Sequence, residues 1–437
     1  MIGVEYGAKG QWAVEDSLAE LAQLAETAGV EVVGTIYQKL DKPHPATFIG
    51  KGKLEEVDLL KDELHADVLI FDDELSPNQL RNIEERISLK VIDRTALILD
   101  IFAARAQTQE ARLQVELAQM EYRLPRLTRM WTHLARQGGG AGGAGGGTGG
   151  MGVGLRGPGE TQLEVDRREI GGRIAKLKVE IAEVHKHREL YRQRRKKEGL
   201  PVVALVGYTN AGKSTLLNKL TAASVLAEDK LFATLDPTTR QLDLPLGRET
   251  LLTDTVGFIQ RLPTMLVAAF RATLEEISEA DVLVHVLDIT HPNAEEQART
   301  VQEVLKELKV DGKPRIVALN KIDLLEEWQA DGTSHKLNGS AAGLSDKLVA
   351  ELGLPGDYVP ISAQQGLGLD NLKEAIATQL DHDLVDVRVM IPYAHNELVS
   401  IFHQRGRVAE ESYGEAGVLI VGKLPSRYQA QFQPYAS

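Results

Sequence analysis

A four-part α/β architecture is predicted by three observations on the 437-residue chain. Apolar strand-like runs alternate with helical patterns in residues 1–95, two long helical seams follow, and the alternation resumes from about residue 199. In order, these are an N-terminal α/β domain (1–95), a long antiparallel helical hairpin (96–198), a doubly wound α/β domain (199–383) and a short C-terminal α/β domain (384–437).

In the first part, apolar residues recur at helical spacing from Ser17 to Ala28. The β-rich run Val30 to Tyr37, with Asp67 to Asp72 and Lys90 to Asp93, reads as strand. Ser76-Pro77-Asn78-Gln79 has the form of a helix start, with a serine cap, proline in the first turn and a glutamine placed to answer the cap. In the hairpin, Leu113, Leu117, Met120, Leu124 and Leu127 form one narrow seam, and Leu163, Ile170, Ile174, Leu177, Ile181 and Val184 form a matching one. Between them, 12 of the 17 residues from Gly138 to Gly154 are glycine. No side-chain packing offsets that backbone entropy, so a mobile tip is expected. Beyond Gly199-Leu200-Pro201, strands are predicted at Val202 to Val206, Thr250 to Thr253, Val282 to Leu287, Ile316 to Leu319 and Tyr358 to Ile361. The tail carries strand-like VRVMI and GVLIVG around a helix near Asn396 to His403.

The 63 acidic and 50 basic residues give a net charge of −13, which excludes a surface cationic all over and confines any nucleic-acid contact to local patches. Cysteine is absent, so disulfides, thiolate zinc sites and cysteine nucleophiles are excluded, and a reducing cytosol fits. No window approaches the roughly 18 consecutive apolar residues of a membrane span. The opening MIGVEYGAKGQW lacks a basic stretch leading into an apolar one. A cytoplasmic protein without stable membrane insertion is expected, with peripheral membrane association left open.

Gly207-Tyr208-Thr209-Asn210-Ala211-Gly212-Lys213-Ser214 matches GxxxxGK[ST] between a buried-strand pattern and a helix. Its glycines let backbone N–H groups close around phosphate oxygens, and the helix N-terminus favours negative charge. Lys213 reaches the outer phosphates, while Ser214, followed by Thr215, offers a hydroxyl to Mg2+. Asp254-Thr255-Val256-Gly257 ends a strand, placing a carboxylate beside the metal and a glycine N–H at a γ-phosphate. Asn320-Lys321-Ile322-Asp323 ends another; an aspartate there accepts from guanine N1–H and the 2-amino group, a donor pair adenine lacks. Alone, that tetrapeptide reads as a helix-start turn, and Ser362-Ala363-Gln364 alone says nothing. Their order after the phosphate loop carries the signal. Phe232-Ala233-Thr234-Leu235-Asp236 falls between the first two motifs, with Thr234 as the expected Mg2+ ligand and Thr238 and Thr239 as rivals.

These residues resemble the motifs of the P-loop GTPases over roughly residues 200 to 380. The resemblance implies a Ras-like fold that binds GTP and GDP with Mg2+. It also implies hydrolysis of GTP by water, with Lys213, Thr234, Asp254 and Gly257 at the reacting phosphate and Asn320 and Asp323 reading the base. Phe258 stands where a Ras-like enzyme has its water-orienting glutamine, so slow hydrolysis that needs a partner is expected. Asn210 is similar to an asparagine that in some GTPases helps hold K+, which makes K+ a candidate cofactor.

Outside that region, Thr47 to Lys53, Phe71 to Glu84, Gln114 to Arg129, Arg156 to Arg168, GYTNAGKST and FATLDPTTR resemble the HflX family of ribosome-associated GTPases. That resemblance implies the large ribosomal subunit and its rRNA as partners. It also implies a hairpin loop directed to the peptidyl-transferase region, and GTP-driven dissociation of stalled or idle ribosomes. The glycine tract is longer than the family's loop and leaves the tip's contacts open. Arg123, Arg126, Arg129 and Arg136 before it, and Arg156, Arg167 and Arg168 after it, are expected to meet phosphates. Lys186 to Lys197, with eight basic residues against one acid, reads equally as a solvated helix end or an rRNA-facing patch. A monomer is expected. The competing reading is a GTP-dependent switch that recruits a protein through the N-terminal domain and tolerates loss of the basic residues.

Overall fold

The computed structural model describes residues 1–6, 13–127, 158–198, 200–221, 231–232, 234–245, 248–260, 271–325, 353–381, 384–414, 416–425 and 428–436. The chain forms two compact units. One comprises Met1–His187 with Glu228–Asp236 and Gln260–Ala272; the other comprises Arg188–Ala227, Pro237–Ile259 and Thr273–Ser437.

In the first unit, β1 (Ile2–Glu5), β2 (Ile36–Lys39), β3 (Val68–Phe71) and β4 (Lys90–Asp93) form a parallel sheet in the order β2-β1-β3-β4. The chain crosses between strands through α1 (Val14–Thr27), α2 (Lys51–Glu63) and α3 (Pro77–Ile87), and α4 (Arg94–Arg105) follows β4. Ile2, Val4, Ile49, Leu54, Phe71, Ile83 and Ile87 make the core. The capping box at Ser76 is present, with the Ser76 hydroxyl accepting from Gln79 N and the Gln79 side chain answering Ser76 N.

Two strands differ from expectation. β1 is too short and too rich in glycine and charge to announce itself. The second strand runs from Ile36, because β1 supplies a ladder only from the Ile2–Ile36 pair onward; the β-branched Val32 and Val33 are left exposed.

Behind the carboxyl ends of β3 and β4, buried Arg94 pairs with Asp72 at 2.6 Å and with Glu20, and Ser17 donates to Asp72 at 2.6 Å. Each buried carboxylate thus meets a donor, the condition for keeping charge inside a core.

The helical region consists of α5 (Gln109–Arg126) and α6 (Pro158–Glu198). Of the apolar seam expected on α5, only Leu113 is buried. The face that packs inward carries Ala111, Val115, Ala118 and Tyr122 instead, where two alanines let the helix approach α4 closely. On α6, Leu177 is fully buried, while Ile170, Ile174, Ile181 and Val184 are half-covered. The arms are joined by a bidentate pair between Arg173 and Glu116, at 2.7 and 2.8 Å, and by Lys178 and Glu121 at 2.9 Å. The glycine tract 138–154 lies outside the described residues, as do Arg129, Arg136 and Arg156.

The second unit is built on a six-stranded sheet in the order β10-β9-β8-β5-β7-β6. Its strands are β5 (Val202–Gly207), β6 (Thr238–Leu244), β7 (Arg248–Asp254), β8 (Val282–Asp288), β9 (Arg315–Asn320) and β10 (Asp357–Pro360). All pairs are parallel except β6 with β7. Helices α7 (Lys213–Thr221) and α10 (Leu369–Asp381) cover one face through Leu216, Leu217, Leu372 and Ile376, and α9 (Ala294–Glu307) covers the other through Ala298. A further helix, α8 (Arg271–Glu279), precedes β8. This is the Ras-like, doubly wound arrangement, in which ligands bind beyond the carboxyl ends of the strands. Edge strand β6 escaped the sequence pattern because Leu242 and Leu244 are its only buried residues.

The tail folds as an antiparallel sheet in the order β11-β13-β12, made of β11 (Leu384–Ile391), β12 (Arg407–Gly414) and β13 (Gly417–Pro425). Helices α11 (Asn396–Arg405) and α12 (Gln429–Phe432) pack Phe402 and Phe432 into its core. Among the described residues, no helix is long and apolar enough to cross a membrane.

Candidate nucleotide-binding site

Four of the predicted motifs meet at the carboxyl end of the six-stranded sheet, all within the second unit. β5 ends at Gly207, whose φ of 155° and close approach to Val286 O, 2.3 Å from where a Cβ would stand, admit no side chain. The loop turns through Asn210 (φ 58°) and Gly212 (φ 94°) into α7, leaving the first N–H groups of that helix beside the loop. At its start Lys213 is buried, and its ammonium donates to Gly207 O at 3.1 Å and Tyr208 O at 2.7 Å. Ser214 donates to Asp254 Oδ2 at 2.6 Å, and Asp254 is fully buried at the end of β7. Ser214 and Asp254 therefore present hard oxygens side by side, a donor set suited to Mg2+.

Gly257 packs where a Cβ would lie 2.7 Å from Thr209 Cα. Beside it the main chain forms a two-bond clasp, Thr209 N to Phe258 O at 2.8 Å and Phe258 N to Gly207 O at 3.0 Å. Thr255 donates to Leu205 O at 2.6 Å. The Phe258 side chain is buried, so it has no hydrogen-bonding group to offer a water.

Asn320, expected to read the base together with Asp323, ends β9. Its side chain is buried and committed to the scaffold, donating to Ala211 O at 2.8 Å and accepting from Ala363 N at 2.9 Å. It ties the phosphate loop to the 362–364 turn. Lys321 adopts φ 67° and pairs with Asp288 at 2.7 Å, which leads the chain into the short 3₁₀ turn Ile322–Leu324 that carries Asp323. The Asp288 clasp was not legible, because the partners are 33 residues apart with no motif linking them. Ser362 caps its own turn by accepting from Gln365 N at 3.0 Å, and Gln364 is exposed.

The segment expected to carry the metal-binding threonine divides. Phe232, Thr234, Leu235 and Asp236 belong to the first unit, and Ala233 lies outside the described residues. Thr239 faces Thr253 at 2.9 Å across the β6–β7 ladder, and Thr238 is the ladder partner of Asp254. That rival therefore stands beside the buried carboxylate. Among the arginines, Arg167 and Arg168 are exposed on α6. Arg126 instead stacks 3.5 Å over the Tyr122 ring and donates to Leu75 O at 2.8 Å and Asp93 at 3.3 Å, so its guanidinium holds α5 to the sheet.

Burial pushes the Lys213 ammonium down to about 8, with the Asp254 carboxylate acting in the opposite sense. Phosphate oxygens favour the charged amine, so binding takes up a proton once the free site has lost it. GDP affinity is expected to hold below about pH 7 and to weaken about tenfold between about pH 7 and pH 9. Titration of a fluorescent GDP analogue reads this, and an affinity unchanged up to about pH 9 would contradict it.

Comparison with known proteins agrees with this geometry. Residues 15–103 match the family model described as GTP-binding GTPase N-terminal, and residues 105–195 the one described as GTP-binding GTPase middle region. Residues 202–321 match the 50S ribosome-binding GTPase model, and residues 268–382 the elongation factor Tu GTP-binding domain. GTPase HflX of Caldanaerobacter subterraneus subsp. tengcongensis is 48% identical over 410 residues, covering 94% of this chain and 88% of its own. GTPase HflX of Escherichia coli (strain K12) is 42% identical over 402 residues, covering 92% and 88%. A GTP-binding protein from the archaeon Sulfolobus solfataricus, solved in complex with GDP, is 27% identical, with 86% of this chain and 98% of that chain covered at a TM-score of 0.42. The chain belongs to the HflX family and is a GTPase.

Proposed function

We propose that this GTPase acts in the cytoplasm on the large ribosomal subunit and couples GTP binding and hydrolysis to the dissociation or rescue of stalled or idle ribosomes. The observation that carries this reading is the match of residues 202–321 to the family model described as a 50S ribosome-binding GTPase. Exposed Arg167 and Arg168, on the α6 arm that follows the glycine tract, add cationic groups suited to rRNA phosphates.

In the reaction, water attacks the γ-phosphate and GDP leaves. Lys213 and the phosphate-loop N–H groups oppose the charge that grows on the transferred phosphoryl group, and the Gly257 N–H faces it. Ser214, with Thr234 or Thr238, would hold Mg2+, and Asp254 would support it. When bound, Mg2+ would supply charge neutralisation to the phosphates, and Asn210 would help hold K+. Asp323 selects guanine. Buried Phe258 orients no water, so a partner completes the site.

Steady-state GTP hydrolysis, measured with and without purified large subunits in potassium buffer, tests the reading. Stimulation of at least about tenfold is expected, within the range partner groups supply to other GTPases. Turnover indifferent to the subunit would overturn the ribosome assignment in favour of a protein-recruiting switch.

A further inference from the structure

Lys321 turns at φ 67°, in the left-handed region where a Cβ crowds the following carbonyl oxygen. A lysine stays there only where its surroundings over-determine the backbone. The neighbouring strand supplies the constraint. Asp288 ends β8 as the ladder partner of Asn320, which ends β9. The Asp288 side chain is buried, and its Oδ2 meets the Lys321 ammonium at 2.7 Å. Its Oδ1 accepts from Thr290 N at 3.0 Å and from the Thr290 hydroxyl at 2.7 Å, so its own strand end orients the carboxylate that reaches across to β9. Past Lys321, Ile322 N donates to Ile361 O at 3.3 Å and Leu324 N to Lys321 O at 3.0 Å, closing the turn that carries Asp323. Every one of these groups lies in the second unit. Lys321 is thus the one peptide between Asn320, whose side chain is committed to the scaffold, and that turn. A rotation at Lys321 changes where Asp323 points.

We propose that Asp288 is a positioning residue for guanine selection, holding Lys321 in its left-handed turn so that the Asp323 carboxylate is aimed at the base. The proposal rests on reading Asp323 as the residue that recognises guanine. A carboxylate accepts from both the N1–H and the 2-amino group only when its two oxygens lie along both donors, because hydrogen bonds weaken steeply as they bend. Hypoxanthine keeps the N1–H and lacks the 2-amino group. The ratio of GDP to inosine diphosphate (IDP) affinity therefore reports the second of the two bonds. A hydrogen bond to a charged acceptor is worth about tenfold or more in affinity, so misaiming Asp323 erodes the ratio. A residue that merely stabilised the domain would weaken both nucleotides alike and leave the ratio intact.

Titration of the full chain with labelled GDP and IDP, beside thermal melts, tests it in Asp288→Ala, Lys321→Met, the two combined, and Asp323→Ala. Asp288→Ala is expected to lower the preference for GDP over IDP about tenfold. The combined variant is expected to fall no lower than Lys321→Met alone, because both changes break the same contact. A wild-type preference in Asp288→Ala, with the preference lost in Asp323→Ala, would overturn the positioning role and leave base reading in place. An unchanged preference in Asp323→Ala would overturn the base-reading assignment and the proposal with it. Losses that multiply in the combined variant would show Asp288 acting apart from Lys321 and overturn the proposed route. Equal weakening of both nucleotides in Asp288→Ala, with a lowered melting temperature, would reduce Asp288 to a structural residue.

Discussion

Asp323→Ala is expected to weaken GDP and GTP binding by about a hundredfold or more with little change in melting temperature. The carboxylate offers guanine two hydrogen bonds of the charged kind, each worth about 1.5–3 kcal/mol, and every 1.4 kcal/mol is about tenfold in affinity. The turn has ties besides that side chain, which limits the loss of stability. Lys321 is held by Asp288, and Ile322 N by Ile361 O at 3.3 Å. Asp323→Asn adds a positive arm: an amide N–H complements a base bearing a 2-oxo group, so xanthine nucleotides should gain what guanine nucleotides lose. Binding of labelled GDP and XDP decides it, and an alanine variant within about threefold of wild type would remove Asp323 from the base site.

Gly212→Ala is expected to abolish measurable nucleotide binding and to lower the melting temperature. The added Cβ would stand 2.3 Å from Asn320 Nδ2, at φ 94°, where a side chain is strained in any case. Relief requires Asn320 to swing away, leaving Ala211 O and Ala363 N without their buried partner. Each such orphan costs about 1–3 kcal/mol, on top of about 1–3 kcal/mol of backbone strain. Gly171→Ala is the control of opposite sign. It lies inside α6 with nothing within 4 Å of the new Cβ, so removing a helix-interior glycine should stabilise the chain by up to about 1 kcal/mol. Calorimetry and GDP titration on both variants check the pair, and an alanine at 212 that binds GDP normally would show the Asn320 clasp to be dispensable.

What was legible divides by physical cause. The buried strands β5, β8 and β9 are continuous apolar runs, so periodicity and length located them. The phosphate loop, the Asp254 turn and the Asn320 turn were legible because phosphate and guanine fix both residue type and spacing. Edge strands β2 and β6 were misplaced or missed, since half or more of their residues are not buried and local pattern says little there, while β1, central and mostly buried, has only four residues with which to form a pattern. The scaffold bonds of Asn320 were not legible for a different reason: an amide at a strand end serves a base and a neighbouring loop equally well on paper. Those bonds, at 2.8 and 2.9 Å, reach residues 109 and 43 positions away. Arg126 follows the same logic, as a cation whose ring and carboxylate partners lie on its own helix and on β4.

The main-chain clasp between Phe258 and the phosphate loop makes one body of the chain leaving β7 and the nucleotide-binding loop. Through Phe258 the backbone is laced to Gly207 and Thr209 on both its donor and acceptor sides, so up to that residue the strand end moves only if the phosphate loop moves with it. Gly257, tight against Thr209, acts as a fixed post rather than a joint.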